Sequence, residues 1–294
     1  MCIHGFKSSW KMVTSGVPQG SVLGPVLFLI FINDLDSHLV TSLLKFADDS
    51  KLFGKVNNGS DRDVIQQDLH SLVEWSNKWQ MAFNTEKCKV MHLGKQNKKF
   101  GYYMNNQKLD VVNEEKDLGV LITDDLKSSS QCRQAYGKAS RVLGMISRTI
   151  SYKTPTVLLK LYKTLVRPHL EYCIPVWSPY YSRDKVLLER VQHRFTRMLP
   201  GLKQKSYFER LEHLGLWTLE ERRNRADLLE VFRMYRGLSV TTFDQFFATS
   251  LSTNTRGHTA KIQKARCNLD VRRFFFSESV IDRWNRLQQE DNRR

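Results

Sequence analysis

The chain has 294 residues, of which 41% are hydrophobic and 26% charged, a balance that suits a globular protein with a sizeable core and more than one compact region. Its five cysteines, Cys2, Cys88, Cys132, Cys173 and Cys267, are scattered, odd in number and free of any C-x-x-C pair, which excludes a disulfide scaffold or zinc ribbon. They fit a reducing intracellular setting, cytoplasm or nucleus. The net charge of +16 is uneven: residues 127–294 hold 32 basic and 15 acidic side chains, net +17, which points to a polyanionic partner.

The first informative stretch is "SGVPQGSVLGPVLFLIFINDL", Ser15 to Leu35. Gly16, Pro18 and Gly20 predict a tight bend that feeds an apolar helix over 22–33 with free N–H groups at its start. The run Val22–Ile32 is eleven residues, against about twenty needed to cross a bilayer, and "NDLDSHL" follows it in place of a small-residue cleavage site. It reads as a buried helix, with Asp34 a solvated helix end.

Next comes "LLKFADDSKLFG", residues 43–54, where Leu43–Ala47 and Ser50–Phe53 read as two strands and Asp48-Asp49 as the hairpin tip. Aspartate is a common turn residue, and two adjacent carboxylates on a turn are also donors for hard cations such as Mg²⁺. The twelve residues alone leave both readings open. An amphipathic helix follows from about Asp61 to Trp79, with Val64, Leu69, Leu72, Val73 and Trp79 on one face. Two short strands, "MAFN" and "CKVMHLG", are expected after it.

Residues 99–126 carry β signals, with Asn105-Asn106 at a turn and "LGVLI" as a strand. From Ser128 onward helices dominate. Thr154 is placed to cap a helix beginning at Pro155, Thr218 and Glu221 form a capping box, and Gly201, Gly215 and Gly237 stand where helices can stop. The resulting organisation is α+β, with regions 1–98, 99–126 and 127–294.

The ordered combination of "GVPQGS", "LGP", an apolar helix ending "FINDL" and then "FADD" resembles the palm of reverse transcriptases from LINE-type, non-long-terminal-repeat retrotransposons. "WSNKWQMAFNTEKCKVMHLG" is similar to the helix and strand that follow in that family, and "KDLGVLI" to the strand near its primer grip. "YKTLVRPHLEYCIPVWSP" and "LERVQHRFTRML" resemble the region where its thumb begins. The resemblance implies a partial palm over 1–98, a β-rich primer-grip-like connection over 99–126 and a basic helical thumb and post-thumb region over 127–294.

By the same resemblance, Asp48 and Asp49 would hold Mg²⁺ or Mn²⁺, and Lys87 would assist the departing pyrophosphate. Gly16, Pro18, Gln19 and Gly20 would contact template and nucleotide, and Phe46 and Ala47 would pack the strand beneath the carboxylates. Trp75, Trp79, Trp177 and Trp217 read as core residues rather than base-stacking platforms. The implied function is RNA-directed DNA polymerisation by two-metal nucleotidyl transfer, with an RNA template, a DNA primer and deoxynucleoside triphosphates as partners. No membrane and no small-molecule cofactor are expected.

The alternative is a non-catalytic nucleic-acid-binding remnant of a retrotransposon. The family's third carboxylate lies on a strand well before "GVPQG", whereas fifteen residues precede Gly16 here and contain no Asp or Glu. The chain therefore reads as 5′-truncated, lacking also the upstream endonuclease, and is expected not to polymerise DNA alone. The ending "RWNRLQQEDNRR" also departs from the family's usual continuation.

Overall fold

The computed structural model describes residues 2–3, 5–7, 9, 12, 16, 20–250 and 258–288. Pro18 and Gln19 lie outside them. Two compact units divide the chain, Met1–Val112 and Asn113–Arg294.

In the first unit a short pair, β1 (Cys2–Ile3) and β2 (Phe6–Lys7), precedes helix α1 (Leu23–Ile32). Strands β3 (Ser42–Phe46) and β4 (Asp49–Phe53) form an antiparallel hairpin, followed by the long helix α2 (Gly59–Trp79). Asn58 caps α2 by accepting the Asp61 N–H at 2.9 Å, and Gln80 ends it in the left-handed region with φ 56°. Leu69, Leu72 and Trp75 of α2 pack with Ile32, Leu35, Tyr102, Met104 and Leu109 to form the core of this unit. Short strands β5 (Lys89–Val90), β6 (Tyr103–Met104), β7 (Gln107–Lys108) and β8 (Asp110–Val111) complete it. β5 pairs parallel with β8 and β6 antiparallel with β7, the latter through Asn105 and Asn106 at φ 51° and 60°, as a two-residue hairpin turn requires.

The second unit opens with the hairpin β9 (Glu114–Asp117) and β10 (Val120–Thr123) and is then helical: α3 (Ser129–Thr149), α4 (Pro155–Leu161), α5 (Pro168–Glu171), α6 (Ile174–Trp177), α7 (Ser182–Arg197), α8 (Tyr207–Leu214) and α9 (Leu219–Tyr235). A π-helical turn, Tyr162–Val166, joins α4 to α5. Short helices α10 (Asp270–Arg273), α11 (Phe276–Ser279) and α12 (Ile281–Asn285) close the unit. Leu143, Leu158, Tyr162, Leu170, Leu188 and Phe195 meet in its main core, and a smaller cluster joins Val231 of α9 to Phe276, Val280 and Trp284. The architecture is α+β, with small sheets confined to the N-terminal part and helices after them.

Three local expectations are corrected. "MAFN" is not a strand, because the Met81 N–H turns back to the Ser76 carbonyl at 3.1 Å and its own carbonyl accepts the Ser76 hydroxyl at 2.6 Å. Both backbone groups of Met81 thus serve the end of α2 instead of a ladder. Pro155 does open α4, but Thr154 makes no side-chain cap bond. Helix α1 is not buried: Phe28, Phe31 and Ile32 face the core, while Val22, Leu23, Val26, Leu27, Leu29 and Ile30 remain 47–89% exposed. A helix that is apolar on every side needs neighbours on every side, and α2 covers only one.

Candidate active site

The "FADD" segment forms a two-residue hairpin in which Phe46 pairs with Asp49, so the tip is Ala47-Asp48 and Asp49 begins the returning strand. The tip therefore sits one residue earlier than the alternation predicts. Ala47 takes φ 51°, a conformation that tight two-residue turns demand and that alanine adopts at a cost of about 1–2 kcal/mol. The carboxylates of Asp48 and Asp49 are both exposed, and neither has a hydrogen-bond or ion-pair partner among the described residues. Phe46 is 63% exposed rather than packed. It shares the outward face with Leu44 and Phe53, while Leu43 and Leu52 turn inward to the core.

Two polar anchors fix the hairpin to its unit. Asp68, 1% exposed on α2, accepts the N–H groups of Val40 and Thr41 at 3.0 and 2.7 Å and the Thr41 hydroxyl at 2.6 Å, which ties down the entry to β3. Lys45 of β3 is the second anchor. Its Nζ donates to the Asn33 carbonyl at 2.9 Å and to Asp36 at 2.7 Å, placing a cation at the C-terminal end of α1 where the helix dipole favours it. The Lys45 hydrogen bond holds the Asp36 carboxyl below its usual range. Asp34 is not simply solvated, since it accepts the Trp75 indole N–H at 2.9 Å.

These anchors were not among the expected functional residues, yet each leaves a signal. Asp68 interrupts the apolar stripe of α2 four residues after Val64 and four before Leu72, and Lys45 occupies an inward-facing strand position two residues after Leu43. A charged residue on a buried face is a partner-seeking residue.

Gly16 and Gly20 both have positive φ, 82° and 86°, which suits the predicted bend before α1. Ser21 accepts the Gly24 N–H at 3.0 Å as the helix starts. Lys87 is exposed on a turn whose backbone is held by Asn84, with Lys87 N–H to Asn84 O at 3.0 Å. The four tryptophans divide: Trp75 and Trp177 are core at 8% and 3% exposure, whereas Trp79 and Trp217 are 42% and 46% exposed.

Two oxygen donors from one turn suit a hard divalent cation such as Mg²⁺ but fill only part of an octahedral shell. Among the described residues no group of three or more His, Cys, Asp or Glu side chains is arranged to hold a metal. No helix among them is long and apolar enough to cross a membrane.

Residues 2–133 match the family model for reverse transcriptase (RNA-dependent DNA polymerase), a segment that contains both the glycine-rich bend and the FADD hairpin. Over this segment the chain is similar to reverse transcriptases. It is 30% identical over 210 residues to an RNA-directed DNA polymerase from mobile element jockey of Drosophila funebris, covering 67% of this chain and 23% of the relative. It is also 25% identical over 208 residues to a probable RNA-directed DNA polymerase from transposon X-element of Drosophila melanogaster, again covering 67% of this chain and 23% of the relative. The chain thus spans less than a quarter of the length of these curated relatives. No solved structure matches it.

Proposed function

We propose that the chain is the metal-bearing part of an RNA-directed DNA polymerase, with Asp48 and Asp49 as ligands of Mg²⁺ or Mn²⁺ and the basic second unit as a seat for template and primer. The observation that carries this reading is the FADD hairpin itself: two adjacent, unpartnered carboxylates at the end of a hairpin that Asp68 ties at its entry and Lys45 ties to the end of α1. A bound divalent ion supplies charge neutralisation for the attacking and leaving oxygens of phosphoryl transfer.

The remaining contributions belong to the chain. Ala47 holds the turn so that Asp48 stands at the tip, and Asp68 restricts its movement, because catalysis of this kind depends on positioning. Gly16 and Gly20 carry no side chain and take positive φ, so a base pair can approach the backbone closely at these two positions. Lys87, exposed and without a side-chain partner among the described residues, is available to neutralise pyrophosphate. On α7, Arg190, Arg194 and Arg197 recur at helical spacing beside His193, a cationic stripe suited to tracking a phosphate backbone.

The test is extension of a DNA primer on an RNA template by the longest product of the gene, with Mg²⁺ and deoxynucleoside triphosphates. Extension that falls at least a hundredfold in Asp48→Asn supports the assignment, since removal of one electrostatic group in such sites costs on the order of 10²–10³ in rate. Extension unchanged in that variant overturns it. Complete inactivity together with salt-sensitive nucleic-acid binding favours a non-catalytic remnant.

A further inference from the structure

At the corner between α8 and α9 lies a cavity of about 380 Å³, within the range of small-ligand sites, lined by Lys163, Arg167, Trp217, Arg222, Arg225 and Leu229. None of these residues belongs to the metal hairpin. Both walls of the cavity are tied to one buried side chain. Gln192, with no exposed surface, accepts the Tyr162 hydroxyl at 2.8 Å and donates to the Trp217 carbonyl at 2.9 Å. Tyr162 begins the π-helical turn that carries Lys163 and leads into Arg167, so the glutamine couples that turn to the Trp217 segment. The segment is fixed at both ends. Gly215 closes α8 at φ 57°, and Thr218 opens α9 with a reciprocal capping box to Glu221. π-Helical turns are uncommon and cluster at functional positions.

The charges in the cavity are unequal. Glu171 engages Arg222 through two contacts, one of 2.9 Å, and lies 3.6 Å from Arg167, leaving a single carboxylate among four cations. Lys163 and Arg225 have no carboxylate partner among the described residues. The Arg225 guanidinium instead lies 4.7 Å from the centre of the Trp217 ring, which keeps 46% of its surface exposed. A half-exposed indole braced by a guanidinium and flanked by a free ammonium joins a stacking surface to a phosphate site.

We propose that this cavity receives one nucleotide of a single-stranded nucleic acid, the base stacked on Trp217 and the adjoining phosphate held by Lys163 and Arg225. The proposal rests on the reading of the second unit as a nucleic-acid seat and assigns it a specific reader of unpaired strand. A duplex hides its base faces in its own stack, so a planar aromatic within a cavity selects for an unstacked base. RNA and DNA strands share this chemistry.

The test uses the full chain with three fluorescent probes: short oligo(rU), short oligo(dT) and an RNA–DNA hybrid duplex. Trp217→Ala should weaken single-strand binding about tenfold while leaving duplex binding within twofold, and Trp217→Phe should restore most of the loss. Photocrosslinking of an oligonucleotide carrying 5-iodouracil should label Trp217. Tighter binding of oligo(rU) identifies the strand as RNA, and tighter binding of oligo(dT) identifies it as DNA. Parent-like single-strand affinity in Trp217→Ala, or equal losses on single strand and duplex in both variants, overturns the proposal alone. Failure of the parent chain to bind any of the three probes overturns the nucleic-acid reading of the second unit as well.

Discussion

At the scale of single residues, the most consequential charges are those with nowhere to go. Asp227 of α9 is 2% exposed, has Arg283 Nη2 at 3.4 Å, and leaves its Oδ1 without a partner. Burial pushes its carboxyl up from 3.8 to about 6 despite the opposing pull of Arg283 and Arg223. The folded chain therefore holds this proton more tightly than the unfolded chain. The stability it contributes is fully present below about pH 4 and is lost as pH rises through about 6. Asp227→Asn is neutral at every pH, so its stability advantage over the parent should grow by roughly 2–3 kcal/mol between pH 4 and pH 7. Urea unfolding of both proteins across that interval checks this. A constant or shrinking difference would show that the two arginines outweigh burial. Asp227 sits inside "RRNRADLLEVFRMY", where it reads as an ordinary surface charge of an arginine-rich helix, and only the fold reveals that α9 turns this face toward α12.

Among the elements, those with strong local chemistry were legible in the chain. Helix α2 lies within two residues of its apolar periodicity, the Asn105-Asn106 turn adopts the positive φ that its residues invite, and the Thr218–Glu221 box opens α9. The strand expected over "LGVLI" begins only at Val120, because Leu118 and Gly119 form the turn before it at φ 44° and 90°. Elements decided by distant partners were not legible. "MAFN" has strand-like alternation, yet the end of α2 claims its first backbone groups. Helix α1 shows the converse: its residues declare burial, and only one side finds a cover. That mismatch yields a prediction. Leu29 and Ile30 are 60% and 68% exposed, so the double change Leu29→Gln and Ile30→Gln should alter unfolding free energy by less than about 1 kcal/mol while raising the concentration at which the chain precipitates. Losses of about 2–5 kcal/mol per site, the range of a core leucine, would mean that this face is covered in the protein as it folds.

For the whole molecule, the adjacent aspartate pair and the excess of positive charge fall in different units. The adjacent aspartates stand on a hairpin of Met1–Val112, while the cationic stripe of α7 and the Trp217 cavity belong to Asn113–Arg294. The excess of positive charge after residue 127 was readable by counting, and the aspartate pair by its order after the glycine-rich bend. What counting does not supply is the support for each site: Asp68 and Lys45 behind the hairpin, and Gln192 behind the cavity. The claim on which the rest depends is that the hairpin carboxylates bind a divalent ion, and paramagnetic broadening of backbone amide signals by Mn²⁺ tests it most directly. Broadening centred on Phe46–Ser50 in the parent chain and lost in Asp48→Asn is the predicted result; equal broadening in the two proteins would contradict it.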